Sequence, residues 1–187
     1  PITEDSNGNE TYGTPVQLAK AISAELSIEL NEATLFADDG QAEAVKEFKS
    51  GTLSLGVDDL GNENAVALVG ARIDANGVLV SSGEDVSRYV AIGFRAKKSN
   101  GKYKYFWLYR VLFGIPATSL ATKGDSITFS TPTIEGTILQ RNKVDGANKH
   151  LWKAEVTENE SNTAIINAWY DAVYEPSYAQ NNNGGNN

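Results

Sequence analysis

The chain has 187 residues, neither cysteine nor methionine, and a formal charge of −8 from 24 acidic against 16 basic residues. A chain of this length buries roughly 70% of its unfolded surface without a disulfide or metal staple, the missing cysteine removes thiol catalysis and cysteine-bound metals, and the acidic balance argues against a phosphate-gripping nucleic-acid binder. No apolar run approaches the ~20 residues of a membrane-spanning helix, and no signal-peptide pattern is visible in the opening residues, so a soluble cytoplasmic product or a particle component made in a cytoplasm is expected.

The opening "PITEDSNGNETYGTPVQL" sets Asp5-Ser6-Asn7-Gly8-Asn9 between short β-prone segments, and Asn-Gly predicts a hairpin turn. Its first arm is short, which favours a further strand upstream. "AISAELSIEL" then alternates without exception: Ile22, Ala24, Leu26, Ile28 and Leu30 on one face, Ser23, Glu25, Ser27 and Glu29 on the other. The acidic "NEATLFADDGQAEAVKEF" breaks the alternation and predicts a long loop over about 33–47. "FKSGTLSLGVDDLG" resumes as a strand with Leu53, Leu55 and Val57 on one side.

"NENAVALVGA" predicts a short helix over 62–70, with Gly70 to end it. "SRYVAIGFRAKKSNGKYKYFWLYRVLFG" predicts two long strands joined at Ser99-Asn100-Gly101-Lys102. "DSITFSTPTIEGTILQRN", bent or edged at Pro132, and "HLWKAEVTE" follow as strands. "SNTAIINAWYDAVYEP" changes to helical spacing, with Ser161 as cap and Pro176 as stop, and residues 176–187 form an Asn/Gly-rich tail expected to be disordered. The fold class is mainly β: an antiparallel β-sandwich or barrel over residues 1–175, flanked by one or two short helices.

The strand at 103–113 poses the main question. Strict alternation puts Tyr103, Tyr105, Trp107, Tyr109, Val111 and Phe113 on one face, and leaves Phe106, Leu108 and Leu112 on the other with Lys104 and Arg110. Exposing those three would forfeit several kcal/mol at roughly 1.5–3 kcal/mol per side chain. The helix at 62–70 covers part of that face, and a neighbouring subunit is expected to cover the rest, which makes Phe106, Leu108 and Leu112 candidate interface residues.

Motifs for chemistry are thin. His150 is the sole histidine and reads as structural or exposed. Asp38-Asp39, Asp58-Asp59 and Glu84-Asp85 read as turn and cap residues, since a glycosidase needs two carboxylates facing each other across a cleft. The Asp5–Asn9 cluster misplaces the glycine of a calcium loop. The basic clusters Arg95–Lys98 and Arg141–Lys143 read as solvated turn flanks. No enzyme, metal or cofactor is expected.

Four segments, "YGTPVQLAKAISAEL", "LFADDGQAEAVKEFKSGTLSLGVDDL", "YVAIGFRAKKSNGKYKYFWLYRVLF" and "ATKGDSITFSTPTIEGTILQRN", occur in an order in which the chain resembles the major tail protein, the tail-tube subunit, of long-tailed bacteriophages of Gram-positive bacteria. The resemblance covers most of residues 12–175 and carries no catalytic signature. It implies a tube-forming β-sandwich with a flanking helix, hexameric rings that stack through the 33–47 loop (Asp38, Asp39, Glu43), and a lumen that passes DNA without binding it. Ser23, Glu25, Ser27 and Glu29 are then candidates for the lumen wall. The implied partners are further copies of the chain, the tape measure protein, and tail-terminating or tail-tip proteins, with assembly in the host cytoplasm, residence in the virion and no membrane insertion. The competing reading is a β-sandwich binding module, for instance for carbohydrate, with Trp107, Tyr109 or Trp152 as stacking platforms.

Overall fold

Alternation between apolar and polar residues builds most of this molecule, and interruptions of the alternation place its corners. The computed structural model describes residues 1–6, 8–37, 40–115 and 132–178, with the backbone alone for 33–37 and 40–44. The strands are β1 (Ile2–Glu4), β2 (Glu10–Tyr12), β3 (Ala21–Ala37), β4 (Gly40–Val57), β5 (Arg72–Ile73), β6 (Leu79–Val80), β7 (Tyr89–Lys97), β8 (Tyr103–Phe113), β9 (Thr133–Leu139) and β10 (Lys153–Thr157). The helices are α1 (Asn62–Val69) and α2 (Thr163–Asn167). The fold is mainly β and antiparallel, as expected, with its principal sheet curled into a half-barrel.

That sheet has six strands. β8 is central: β7 lies along one side, while the other side pairs first with β10 and then with β9, and β4 and β3 continue beyond β9. The core face carries Leu53, Leu55, Val57, Val90, Ile92, Leu108, Val111, Phe113, Ile134 and Ile138, all buried. α1 closes over it with Leu68 and Val69, and ends at Gly70 in the left-handed conformation (φ 77°), as the sequence predicts. A side chain at Gly70 would also run into the Val86 carbonyl.

The predicted turn at 99–102 joins β7 to β8, with Gly101 at φ 82° and its N–H donated to the Lys98 carbonyl at 3.0 Å. Within β8 strict alternation fails. Val90 lies opposite Val111 but Ile92 opposite Leu108, so two steps on β7 span three on β8. This bulge reverses the side-chain parity near Tyr109 and Arg110. Phe106, Leu108, Val111 and Phe113 therefore share the core side, while Tyr105, Trp107, Arg110 and Leu112 share the outer side.

The outer side of β7 and β8 is covered from within the chain. Trp107 donates its indole N–H to the Trp169 carbonyl at 2.9 Å, and Tyr105, Trp107 and Trp169 form a second apolar cluster joined by Ile166, Val173 and Tyr174. The second helix is shorter than its periodicity suggests. A 3-10 turn, Glu160–Asn162, precedes it and is capped by Asn159 in a reciprocal box with Asn162, while the N-cap position of α2 is Asn162 rather than Ser161. Residues 176–178, assigned to the tail on sequence, are among the described residues, and the Tyr178 hydroxyl bonds the Asp145 carboxylate; residues 179–187 lie outside the described residues.

The predicted loop at 33–47 is not a loop in its described part. The β3–β4 ladder continues through it, pairing Glu32 with Lys46, Ala33 with Val45 and Leu35 with Glu43. Register shifts at Glu29/Leu30 and Leu35/Phe36 break the alternation there without breaking the pairing. The described side chains on this outer part of the hairpin, at 31, 32 and 45–47, are exposed, so burial imposes no apolar pattern on it.

Candidate assembly surface

β3 pairs only with β4, and β7 only with β8, so each presents an open edge among the described residues. Open edges invite another strand unless they are short, charged or covered. The one on β3 runs for 17 residues. Its core-side residues are poorly covered: Leu26 and Ile28 are half-buried, and Leu30 is 48% exposed. Ile22, displaced by an irregularity between Ala21 and Ser23, is 60% exposed. Val45, on the same hairpin, is exposed as well.

The opposite face of this half of the sheet is polar across three strands. Ser23, Glu25, Ser27 and Glu29 are all exposed, as the sequence predicts. In register, Glu25 lies beside Ser54 and then Glu135, and Ser27 beside Thr52 and then Thr137. Glu29 accepts a hydrogen bond from Ser50 at 3.2 Å and pairs with Lys49 at 3.4 Å. The result is a bare, hydrated, mainly acidic and hydroxylic surface.

The interface residues predicted on β8 do not form one surface. Leu108 is completely buried in the core with α1, contrary to expectation. Phe106 is half-buried and stacks on Phe94, with ring centroids 5.0 Å apart. Leu112 is half-buried on the other side of the sheet, because the bulge lies between them. Glu43 falls in the β3–β4 ladder opposite Leu35, while Asp38 and Asp39 lie outside the described residues.

The aromatic platforms are likewise engaged internally. Trp107 and Tyr109 are buried, and Trp152 stacks on Phe48 at 4.4 Å and 7°. The Tyr109 hydroxyl donates to the Tyr174 carbonyl at 2.8 Å, and burial raises its pKa. His150 is exposed, with Nδ1 3.1 Å from the Arg141 carbonyl oxygen. No cluster of potential metal ligands occurs among the described residues.

Sequence reasoning missed two arginines. Arg141, read as a turn flank, is 1% exposed. It lies over the Tyr109 ring at 4.6 Å and donates to both oxygens of Glu175 at 2.9 Å. Arg110 is buried against Glu10 of the N-terminal hairpin. Both partners are remote in sequence, so no local signal marks either pair.

A scan against protein-family models gives no match, and neither does a search of curated proteins.

Proposed function

We propose that this protein is a structural subunit that assembles with copies of itself into stacked hexameric rings, forming a phage tail tube through which DNA passes. The observation that carries the reading is the geometry of β3: a 17-residue strand whose outer edge pairs with no strand among the described residues, with an incompletely covered apolar face and an exposed polar face. A monomer that left such an edge bare would be prone to aggregation. Pairing β3 with the open edge of a neighbour satisfies its backbone groups, covers Ile22, Leu26 and Leu30, and continues the half-barrel from subunit to subunit. The polar face of β3, β4 and β9 then lines a wetted bore, with acids that disfavour phosphate contact. The β3–β4 hairpin, which extends beyond the core, is the element suited to reach the next ring.

Of the three rings named for the competing binding-module reading, Trp107 and Tyr109 are buried and Trp152 is stacked on Phe48, so this geometry favours the tube reading. The deciding experiment is size-exclusion chromatography with light scattering over rising concentration, followed by negative-stain microscopy. Rings or tubes are expected. A protein that stays monomeric at high concentration and adds to no preformed tail structure refutes the proposal.

A further inference from the structure

Among the described residues up to Lys20, only Glu10 is buried. The rest of this N-terminal arm is exposed or half-buried, and its two strands pair only with each other. Its attachment joins the Tyr12 ring, 6.2 Å from Tyr109, to a set of polar contacts. One Glu10 oxygen bonds Arg110, and the other accepts the backbone N–H groups of Asn142 at 2.8 Å and Lys143 at 3.2 Å. Glu4 adds a bond from the Asn142 side chain at 2.9 Å and a second carboxylate 3.7 Å from Arg110.

The socket is built without the arm. Arg110 belongs to β8 and rests on the Tyr89 ring at 4.0 Å, while the two N–H donors come from the turn after β9. Both carboxylates that reach Arg110 come from the arm. When the arm leaves, a cation and two aligned donors that it had shielded from water are left without their carboxylate partners. Between β2 and β3, residues 13, 14, 16 and 17 are exposed, whereas Leu18 and Ala19 pack against the core and the Leu18 carbonyl accepts from the Asn64 side chain, so the arm that can swing is the part before residue 18.

We infer that this socket is an exchange site: the Glu10-bearing arm of a second copy can take the place of the resident arm, linking copies through swapped arms. The charge complementarity that seats the arm in its own chain is identical between chains, which is the condition for low-cost swapping. The inference goes beyond tube assembly, because arm exchange requires neither a ring nor a sheet-edge contact.

The test is fluorescence anisotropy with a labelled synthetic peptide of residues 1–20, added to the full chain and to its Glu10→Gln variant, whose own arm is held less firmly. Saturable binding is expected to both, slower for the parent chain because its arm must first leave. A peptide carrying Glu10→Ala should bind at least about thirtyfold more weakly, the loss associated with truncating one partner of a buried charge pair. Equal binding of the two peptides, or binding of neither to either protein, overturns the inference. Peptide binding without tube formation counts against the proposed function alone, and tubes without peptide binding count against arm exchange alone.

Discussion

Glu10 and Arg110, separated by 100 residues of sequence, form a buried ion pair that ties the N-terminal hairpin to the central strand of the sheet. Breaking a buried pair costs about 3–5 kcal/mol when the orphaned charge stays buried. Here the arm can lift and let water reach Arg110. Glu10→Ala should therefore cost less than that range in urea titration. Hydrogen exchange should accelerate at residues 10–12 and remain slow in β8. Uniform acceleration through β8 would show that the arm does not open separately.

Trp107 and Gly93 lie opposite each other on β8 and β7. A Cβ on Gly93 would come within 2.9 Å of the Trp107 ring. Trp107 cannot easily retreat, since its indole N–H is bonded to the Trp169 carbonyl. Gly93→Ala should destabilise by about 1–3 kcal/mol, the usual range for overpacking, and should shift the tryptophan emission. Unchanged stability would mean that the α2 layer yields readily.

Where one face is buried and the other wet, side-chain order reports structure directly, so β3 from Ala24 to Leu30 and the odd positions of β4 were legible. The turn at Asn100-Gly101 was legible because left-handed backbone demands glycine. The bulge at Tyr109–Arg110 was not, because the charges of Lys104 and Arg110 made the face that strict alternation assigns to Leu108 look like a surface, when the slip carries Arg110 to the other side. The outer β3–β4 hairpin was misread for a different reason: with its described side chains exposed, the ladder there rests on backbone bonds that any composition can make. Leu108 was thus taken for a surface, and residues 33–47 for a loop. The polar face at Ser23–Glu29 was read correctly, but its continuation through Glu135 and Thr137 depends on strand order, which alternation alone does not encode.

Tyr12, the last residue of β2 in the N-terminal arm, lies 6.2 Å from Tyr109, centroid to centroid. Burial pushes the Tyr12 pKa up to about 12 from an ordinary 10 and raises Tyr109 as well. The unfolded chain then ionises first, so the stability linked to these groups is intact below about pH 10 and is lost as pH rises towards about 12. Absorbance titration of the 8 tyrosines should show a fraction that resists ionisation near pH 10 and appears with alkaline unfolding. Replacing Tyr12 with Phe should reduce that fraction. Titration of every tyrosine near pH 10 in folded protein would contradict the packing.

Leu30 and Ile22 are exposed on the edge strand, whereas Leu108 is buried beneath α1. Leu30→Asp and Ile22→Asp should change stability by no more than about 0.5 kcal/mol, as exposed substitutions usually do. Both should still abolish self-association in sedimentation velocity. Leu108→Asp should fail to fold, because it buries an unpaired carboxylate. Assembly unaffected by both edge-strand changes would place the subunit contact elsewhere.

Glu25 and Glu29 stand on the polar side of β3, and among the described residues only Glu29 pairs with a cation, Lys49. If this face lines the bore, changing both to Lys replaces a repelling wall with one that grips phosphates in every subunit. At physiological salt the Debye length is about 8 Å, so the effect is confined to DNA close to the wall, where passage brings it. The double variant should fold and assemble normally, since both side chains are exposed. Its tubes should retain double-stranded DNA at low salt and release it as salt rises, and particles carrying it should eject their genome slowly. Parent tubes should retain none under the same conditions. Equal DNA retention by parent and variant tubes, with ejection unimpaired, would mean that this acidic face does not look into the bore.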